Sequence, residues 1–254
     1  MKAVIIGSGN VATNLARALT AAGVEIIQVY SHTLGNAAAL AATIGAEATD
    51  KLGDIATEAD FYIISVKDDA IANVVESIPD NGALWVHTSG STPIDVFHDR
   101  RKHFGVFYPM QSFSKQIETD FTDVPFFIEA DSDDTERAIT SVARMLSRRV
   151  FKATSEQRRR LHIAAVFACN FANHLWTIAG DVLQEAGLPF DVMLPLIRTT
   201  VDKLNRLTPA ESQTGPAMRR DSKIMQSHID MLDGDKKLIY TILSDDIMKR
   251  HEQD

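Results

Sequence analysis

A chain of 254 residues that is 45% apolar and 24% charged has the makings of an ordinary globular protein, with room for one large or two moderate domains. Its net charge of −8 comes from the first half, since residues 1–150 hold 12 Lys and Arg against 20 Asp and Glu, while residues 151–254 hold 14 of each. An acidic first half argues against a nucleic-acid groove and means that an anionic cofactor there must be held by local backbone donors.

Cys169 stands alone, so no intramolecular disulfide forms and nothing suggests an oxidising compartment. The opening Met1-Lys2-Ala3-Val4-Ile5-Ile6 meets a glycine after four apolar residues, too few for a signal region. No run approaches the roughly 18 apolar residues of a membrane span. The expectation is a cytoplasmic protein with no membrane partner.

In chain order, apolar β-branched runs at 3–6, 25–30, 61–66, 84–87, 105–108, 126–129 and 150–152 predict strands, and 11–22, 36–44, 69–77 and 135–146 predict helices among them. Continuous apolar strands separated by helices imply a parallel sheet covered on both faces, a doubly wound α/β domain. After Lys152 the texture changes. A three-and-four spacing runs through one long amphipathic helix, Ser155 to Ala186, ending near Gly187-Leu188-Pro189, with further helices at about 191–206, 221–232 and 236–249. The expected organisation is a dinucleotide-binding domain over 1–152 and a helical domain for substrate and dimerisation over 153–254.

The first turn carries the strongest signal. Gly7-Ser8-Gly9-Asn10-Val11-Ala12 fits the dinucleotide fingerprint with Ala in the third small position, directly after a strand. One glycine allows the tight turn, the other lets backbone approach a pyrophosphate, and the phosphates meet a helix N-terminus. An NAD site has an acid about 20 residues on; here the second strand ends in Tyr30-Ser31-His32-Thr33 and no Asp or Glu occurs from Ile26 to Ala46. With three donors and no repelling carboxylate, NADP is favoured; a polar loop without ligand preference is the alternative. Ser65–Ile71 and His87–Ser91 also follow predicted strands, which puts them beside the cofactor. Ser89 and Gly90 fall near the nicotinamide, and His87 is read as a packed strand-end residue in preference to a proton donor.

Together with "VYSHT", "HTSGS", "YPMQSF" (Tyr108 to Phe113), "LHIAAVFACNFANHL" (Leu161 to Leu175) and "QTGPAMRRD" (Gln213 to Asp221), the first turn resembles Rossmann-like NADP oxidoreductases with a helical carboxyl-terminal domain of unknown function. Some of these depend on a deazaflavin, and the group is distant kin of pyrroline-5-carboxylate and ketopantoate reductases. The resemblance implies that Gly7, Ser8, Gly9, Asn10 and Val11 hold the pyrophosphate and that Ser31, His32 and Thr33 meet the 2′-phosphate. It also implies that Val66 and Lys67 lie near the nicotinamide ribose, with Ser89 and Gly90 beside the ring. His162, Asn170 and Asn173, with the Thr214-Gly215-Pro216 turn, would close a cleft between the domains, and relatives pair as homodimers through the helical one. Three positions depart from the pattern: His32 replaces an Arg, Tyr108 replaces a His, and the long helix offers His162 where hydroxyacid dehydrogenases use a Lys.

On a helical wheel, His162, Asn170, Asn173 and Thr177 share a stripe broadly opposite the apolar Leu161, Ala164, Ala168, Phe171, Leu175, Ile178 and Val182. An imidazole and amides suit orienting and protonating a carbonyl or imine, with Tyr108 and Ser89 as further catalytic candidates; an exposed polar face is the plainer reading. The expected activity is NADPH-dependent hydride transfer to or from a small C=O or C=N substrate. A nucleotide sensor without turnover is the alternative, motivated by the missing Lys. No histidine or cysteine spacing suggests a metal. The Asp68-Asp69, Asp133-Asp134 and Asp245-Asp246 pairs read as helix-start or solvated charges. Arg158-Arg159-Arg160 reads as a solvated helix start, one of whose members could reach a cofactor phosphate.

Overall fold

The computed structural model describes residues 1–251, so the last three positions of the expected helical domain lie outside the described residues. Two compact units divide the chain, Met1–Asn170 and the residues from Phe171 onward.

The first unit is built on an eight-stranded sheet in the order β3-β2-β1-β4-β5-β6-β7-β8. The strands are β1 (Lys2–Ile6), β2 (Glu25–Tyr30), β3 (Glu47–Thr49), β4 (Phe61–Ile64), β5 (Leu84–His87), β6 (His103–Pro109), β7 (Phe126–Ala130) and β8 (Val150–Lys152). Only β6 and β7 pair antiparallel. Between them run α1 (Asn10–Ala21), α2 (Leu34–Ile44), α3 (Asp68–Ser77) and α4 (Asp133–Leu146). The expected doubly wound, mostly parallel Rossmann-type sheet is thus present.

Strand alternation explains why both faces are covered. Ala3, Ile5, Phe61 and Ile63 face one apolar layer with α1, α2 and α4, whereas Val4, Ile6, Tyr62 and Ile64 face a second with α3. All eight are at most 1% exposed, so each strand feeds two cores at once. The Tyr62 and Trp85 rings stack at 4.2 Å in the second layer, and Arg101 caps that stack from 4.2 Å above the indole. The sequence reading missed β3. Its three residues, Glu-Ala-Thr, form an edge strand with no apolar run to announce it.

The strand order reverses between β1 and β4, which places a crevice beyond their carboxyl ends. That switch point positions the site described below.

The predicted long helix begins as α5 (Ser155–Ala165), passes through a π-helical turn at Val166–Phe171, and continues as α6 (Ala172–Glu185). The widened turn takes up extra residues per revolution, so a wheel drawn at 100° per residue loses phase beyond Val166. Ser155–Glu185 is long enough, and with a mean hydropathy of 1.2 in its best window apolar enough, to cross a membrane by length and composition alone, although its longest continuous apolar run, Ile163–Cys169, is far short of the roughly 18 residues of an unbroken apolar span. Asn170, Asn173 and His174 interrupt it.

In the second unit, α7 (Leu194–Lys203), α8 (Ser222–Met231) and α9 (Gly234–Arg250) follow α6. The expected all-helical character holds, with α7 shorter than the 191–206 stretch because its first turn is a 3-10 helix at Phe190–Met193. Among its described apolar residues only Leu183, Ala217 and Met225 are buried, while Leu196, Val201, Leu238 and Ile242 are all more than half exposed.

Candidate functional site

A groove of about 930 Å³ lies over the switch point, lined by the carboxyl ends of β1, β2, β4, β5 and β6. Such a volume suits a cofactor-sized ligand.

At one end the backbone makes the site. Gly7 has φ of +133°, a region L side chains rarely adopt, and a Cβ there would lie 2.1 Å from the Ser65 carbonyl oxygen. Its own N–H donates to the Tyr30 carbonyl at 2.8 Å, tying β1 to β2 where the chain turns into α1. Gly9 differs, because a Cβ there would meet nothing within 4 Å; the space before it is open.

α4, α5 and α8 each begin with a side chain that accepts an N-terminal N–H: Ser132, Thr154 and Asp221. By contrast α1 and α2, whose N-termini border the groove, have no side-chain cap and no acid in the first turn. Their free N–H groups and dipoles remain open to an anion. α1 offers itself beside Gly7–Val11, and α2 beside Ser31, His32, Thr33 and Asn36. Ser8 Oγ donates to Ser31 Oγ at 2.8 Å, linking the two loops. NADP carries two anionic groups, a pyrophosphate and a 2′-phosphate, and the donor set fits both. Asn36 was not singled out from sequence; a polar residue in the first turn of an otherwise Ala-rich helix was its signal.

At the other end, side chains make the site. Val66 and Lys67 lead from β4 into α3, with Asp68 in its first turn, and all three line the groove. Thr88 Oγ1 donates to Ser65 Oγ at 3.0 Å, fastening the β4 and β5 loops together. Ser89 Oγ accepts from the N–H groups of Ser91 and Thr92 at 3.0 and 2.9 Å, so its hydroxyl shapes the turn that presents Gly90. Over Gly90 two groups converge. A Cβ at residue 90 would lie 2.9 Å from Tyr108 Cζ and 3.1 Å from His162 Nδ1. Tyr108 Oη and His162 Nδ1 are themselves 3.4 Å apart.

Electrostatics separate the candidates. Burial pushes the Tyr108 phenol above its usual range; the nearby Arg158 charge opposes that rise and Asp68 adds to it. Tyr108 therefore keeps its proton at neutral pH. His87 is fully buried, stacks on Phe97 at 5.7 Å and accepts the Ser89 N–H at Nδ1. Burial, then the Arg158 charge, lower its pKa to about 3, so it is a neutral packing residue as expected.

Tyr108, His162, Ser89 and the residues expected to hold a cofactor thus line one groove. Asn170, on the π turn, is not among its lining residues, and Asn173 belongs to the second unit. One reading needs correcting: Arg158 is not solvated but fully buried and paired with Glu129, whereas Arg160 pairs with Glu156 at the surface. Sequence had no means of finding this pair, whose members are 29 positions apart on different elements. Among the described residues no group of three metal-ligating side chains occurs.

Residues 2–88 match the model described as NADP oxidoreductase, coenzyme F420-dependent, and residues 124–247 match a domain of unknown function, DUF2520. A "putative NADP oxidoreductase" from Bacteroides fragilis is 46% identical, with 98% of each chain covered and a TM-score of 0.92. The 1-pyrroline-5-carboxylate reductase of Streptococcus pyogenes is 10% identical, covering 100% of this chain and 98% of its own, with a TM-score of 0.67. An imine reductase variant from Myxococcus stipitatus, in complex with NAD+, is 16% identical over 98% and 94% of the two chains, with a TM-score of 0.59. Those last two likenesses concern the fold. Among curated proteins none matches.

Proposed function

The chain belongs to the NADP oxidoreductase family of the Bacteroides fragilis protein, in which a dinucleotide-binding domain precedes DUF2520, and from that premise we propose that it reduces a small C=O or C=N compound with NADPH. The observation that carries this reading is the convergence of Tyr108 and His162 over Gly90, in the groove that the N-termini of α1 and α2 also border.

NADPH, when bound, supplies the hydride. The chain's own residues do the rest. Gly7 to Val11 and the α1 terminus hold the pyrophosphate, while Ser31, His32, Thr33 and Asn36 hold the 2′-phosphate. Gly90, having no side chain, lets Tyr108 and His162 close over the turn beside which the nicotinamide would lie. The carbon of C=O or C=N gains hydride and the heteroatom gains one proton, giving an alcohol or amine and NADP+. Tyr108 Oη donates that proton, being neutral at physiological pH, and His162 Nδ1 is placed to restore it from the exposed side.

The reading is tested by following NADPH oxidation at neutral pH over a panel of aldehydes, ketones and cyclic imines. Turnover that falls about a hundredfold in Tyr108→Phe, with NADPH affinity within twofold, supports it. Tight NADPH binding with no turnover across the panel favours the sensor instead.

Two further roles belong to the same proposal. Residues 1–152 bind the dinucleotide and 153–254 serve substrate binding and pairing, in a cytoplasmic homodimer. What supports pairing is the second unit's exposed apolar surface, including Leu196, Val201, Leu238 and Ile242. Surface of that kind in one small unit is a mark of an interface. A monomeric mass by light scattering at micromolar concentration would overturn it.

A further inference from the structure

We propose that Arg158 is a positioning residue of the reacting end, holding the turn that carries Gly90, the strand beside Tyr108 and the helix that carries His162 in one fixed arrangement. This rests on the reading of Tyr108 and His162 as the proton-handling pair.

The guanidinium is fully buried, and its contacts go to three elements. NH1 pairs with the Glu129 carboxylate on β7, and Glu129 stands in register with Val106, two positions before Tyr108 on β6. NH2 donates to the Thr92 carbonyl at 2.7 Å, two residues after Gly90, and to Ser155 Oγ at 3.3 Å. Arg158 itself lies one helical turn before His162 on α5, on the same face. Around this centre, Glu129 accepts the Ser155 N–H at 2.9 Å and its hydroxyl at 2.7 Å, while Ser155 Oγ accepts the Ile94 N–H at 3.0 Å.

The tolerances show why such a clamp matters. Gly90 has only the room of a missing methyl beneath Tyr108 and His162, and the Ser89 hydroxyl bonds make residues 89–92 one stiff turn. A shift at Thr92 therefore reaches Gly90. A planar fork that bonds in two fixed directions suits this task, and Lys cannot copy it.

Stability alone does not account for the arrangement. A buried ion pair is often no better than apolar residues of the same volume, and Arg158 Nε has no partner among the described residues. The charge does, however, act on Tyr108. The ionisable groups that face the phenol are Arg158 and His162 from α5 and Asp68 from α3, and Glu129 partly neutralises Arg158.

The test uses the full-length apo protein and the ring Cζ signal of labelled tyrosine, followed with pH and assigned by its loss in Tyr108→Phe. In Arg158→Gln the Tyr108 midpoint should rise by about half a pH unit or more, roughly threefold in proton affinity. In the near-isosteric Glu129→Gln, which leaves Arg158 uncompensated, it should fall. NADPH affinity should stay within about twofold in both, because the phosphate end is untouched. A purely structural Arg158 would lower the melting temperature in both variants without moving the midpoint, and that result would overturn the proposal. Should Arg158→Gln fail to fold, the Glu129→Gln arm decides alone: a fall supports the proposal and an unmoved midpoint overturns it. Full turnover in Tyr108→Phe would instead sink the assignment of the proton donor, a separate measurement that leaves the midpoint shifts interpretable.

Discussion

The two ends of the groove reach the same precision by opposite means. The phosphate end is built from backbone: a left-handed glycine, an open glycine, and two helix N-termini with no side-chain cap. The reacting end is built from side chains, Tyr108 and His162, delivered from β6 and α5, elements far apart in sequence. On the proposed reading, backbone donors hold phosphates that NADPH and NADP+ have in common. On the same reading, side chains handle a proton whose position must change during turnover. Substitutions at the first end should therefore act on affinity, and at the second on rate.

The largest expected effect is at Gly7. Gly7→Ala meets a carbonyl oxygen at 2.1 Å and a backbone angle hostile to Ala, so NADPH affinity should drop more than roughly hundredfold and the melting temperature should fall with it. Gly9→Ala is the sharper control. No atom lies within 4 Å of the new methyl, so the melting temperature should hold while NADPH binding weakens, because the methyl enters the space kept for the pyrophosphate. If calorimetry finds Gly9→Ala binding NADPH as wild type does, the open space serves something else.

At the other end, Tyr108→Phe should lower turnover about a hundredfold while calorimetric NADPH affinity stays within twofold. A fall in affinity of the same size would erase the distinction between the ends.

Ser31→Asp tests whether the α2 end reads the 2′-phosphate. A carboxylate among Ser31, His32, Thr33 and Asn36 repels it, so the ratio of NADPH to NADH affinity should shrink at least roughly tenfold, about 1.4 kcal/mol. An unchanged ratio would leave the cofactor choice to other groups.

The smallest functional effect belongs to His87, which supports the reacting end without touching it. Its pKa falls from 6.5 to about 3 on folding, so between those values the unfolded chain binds a proton that the native state does not. Stability is therefore lost as pH falls through that window, with a slope approaching about 1.4 kcal/mol per pH unit. His87→Gln keeps an acceptor for the Ser89 N–H and removes the titration. Denaturant melts from pH 7 to 4 should then show a shallower acid dependence, with turnover at neutral pH unchanged.

How much of this was legible beforehand follows the range of each interaction. The fingerprint at Gly7–Ala12, the acid-free second strand and the alternating β and α pattern are local. They depend on neighbours a few residues apart, so the linear chain determined the strands other than β3, the helices between them and the glycine turn after β1. Three things escaped for stated reasons. β3 is held by pairing with β2 and by Ala48 packing against the core, neither of which shows as an apolar pattern of its own. The π turn at Val166–Phe171 moved the phase of a helical wheel that assumed 100° per residue. Arg158 looked solvated because Arg159 and Arg160 beside it are, and only the fold brings Glu129 to it. The same holds for the pairing of Tyr108 with His162 above Gly90, three positions from β6, α5 and the β5 loop. Sequence determined which chemical groups were available and which turn has the dinucleotide fingerprint; tertiary structure alone decided which groups meet, because contacts between distant elements depend on sheet order and strand register, and neither is written in any local window.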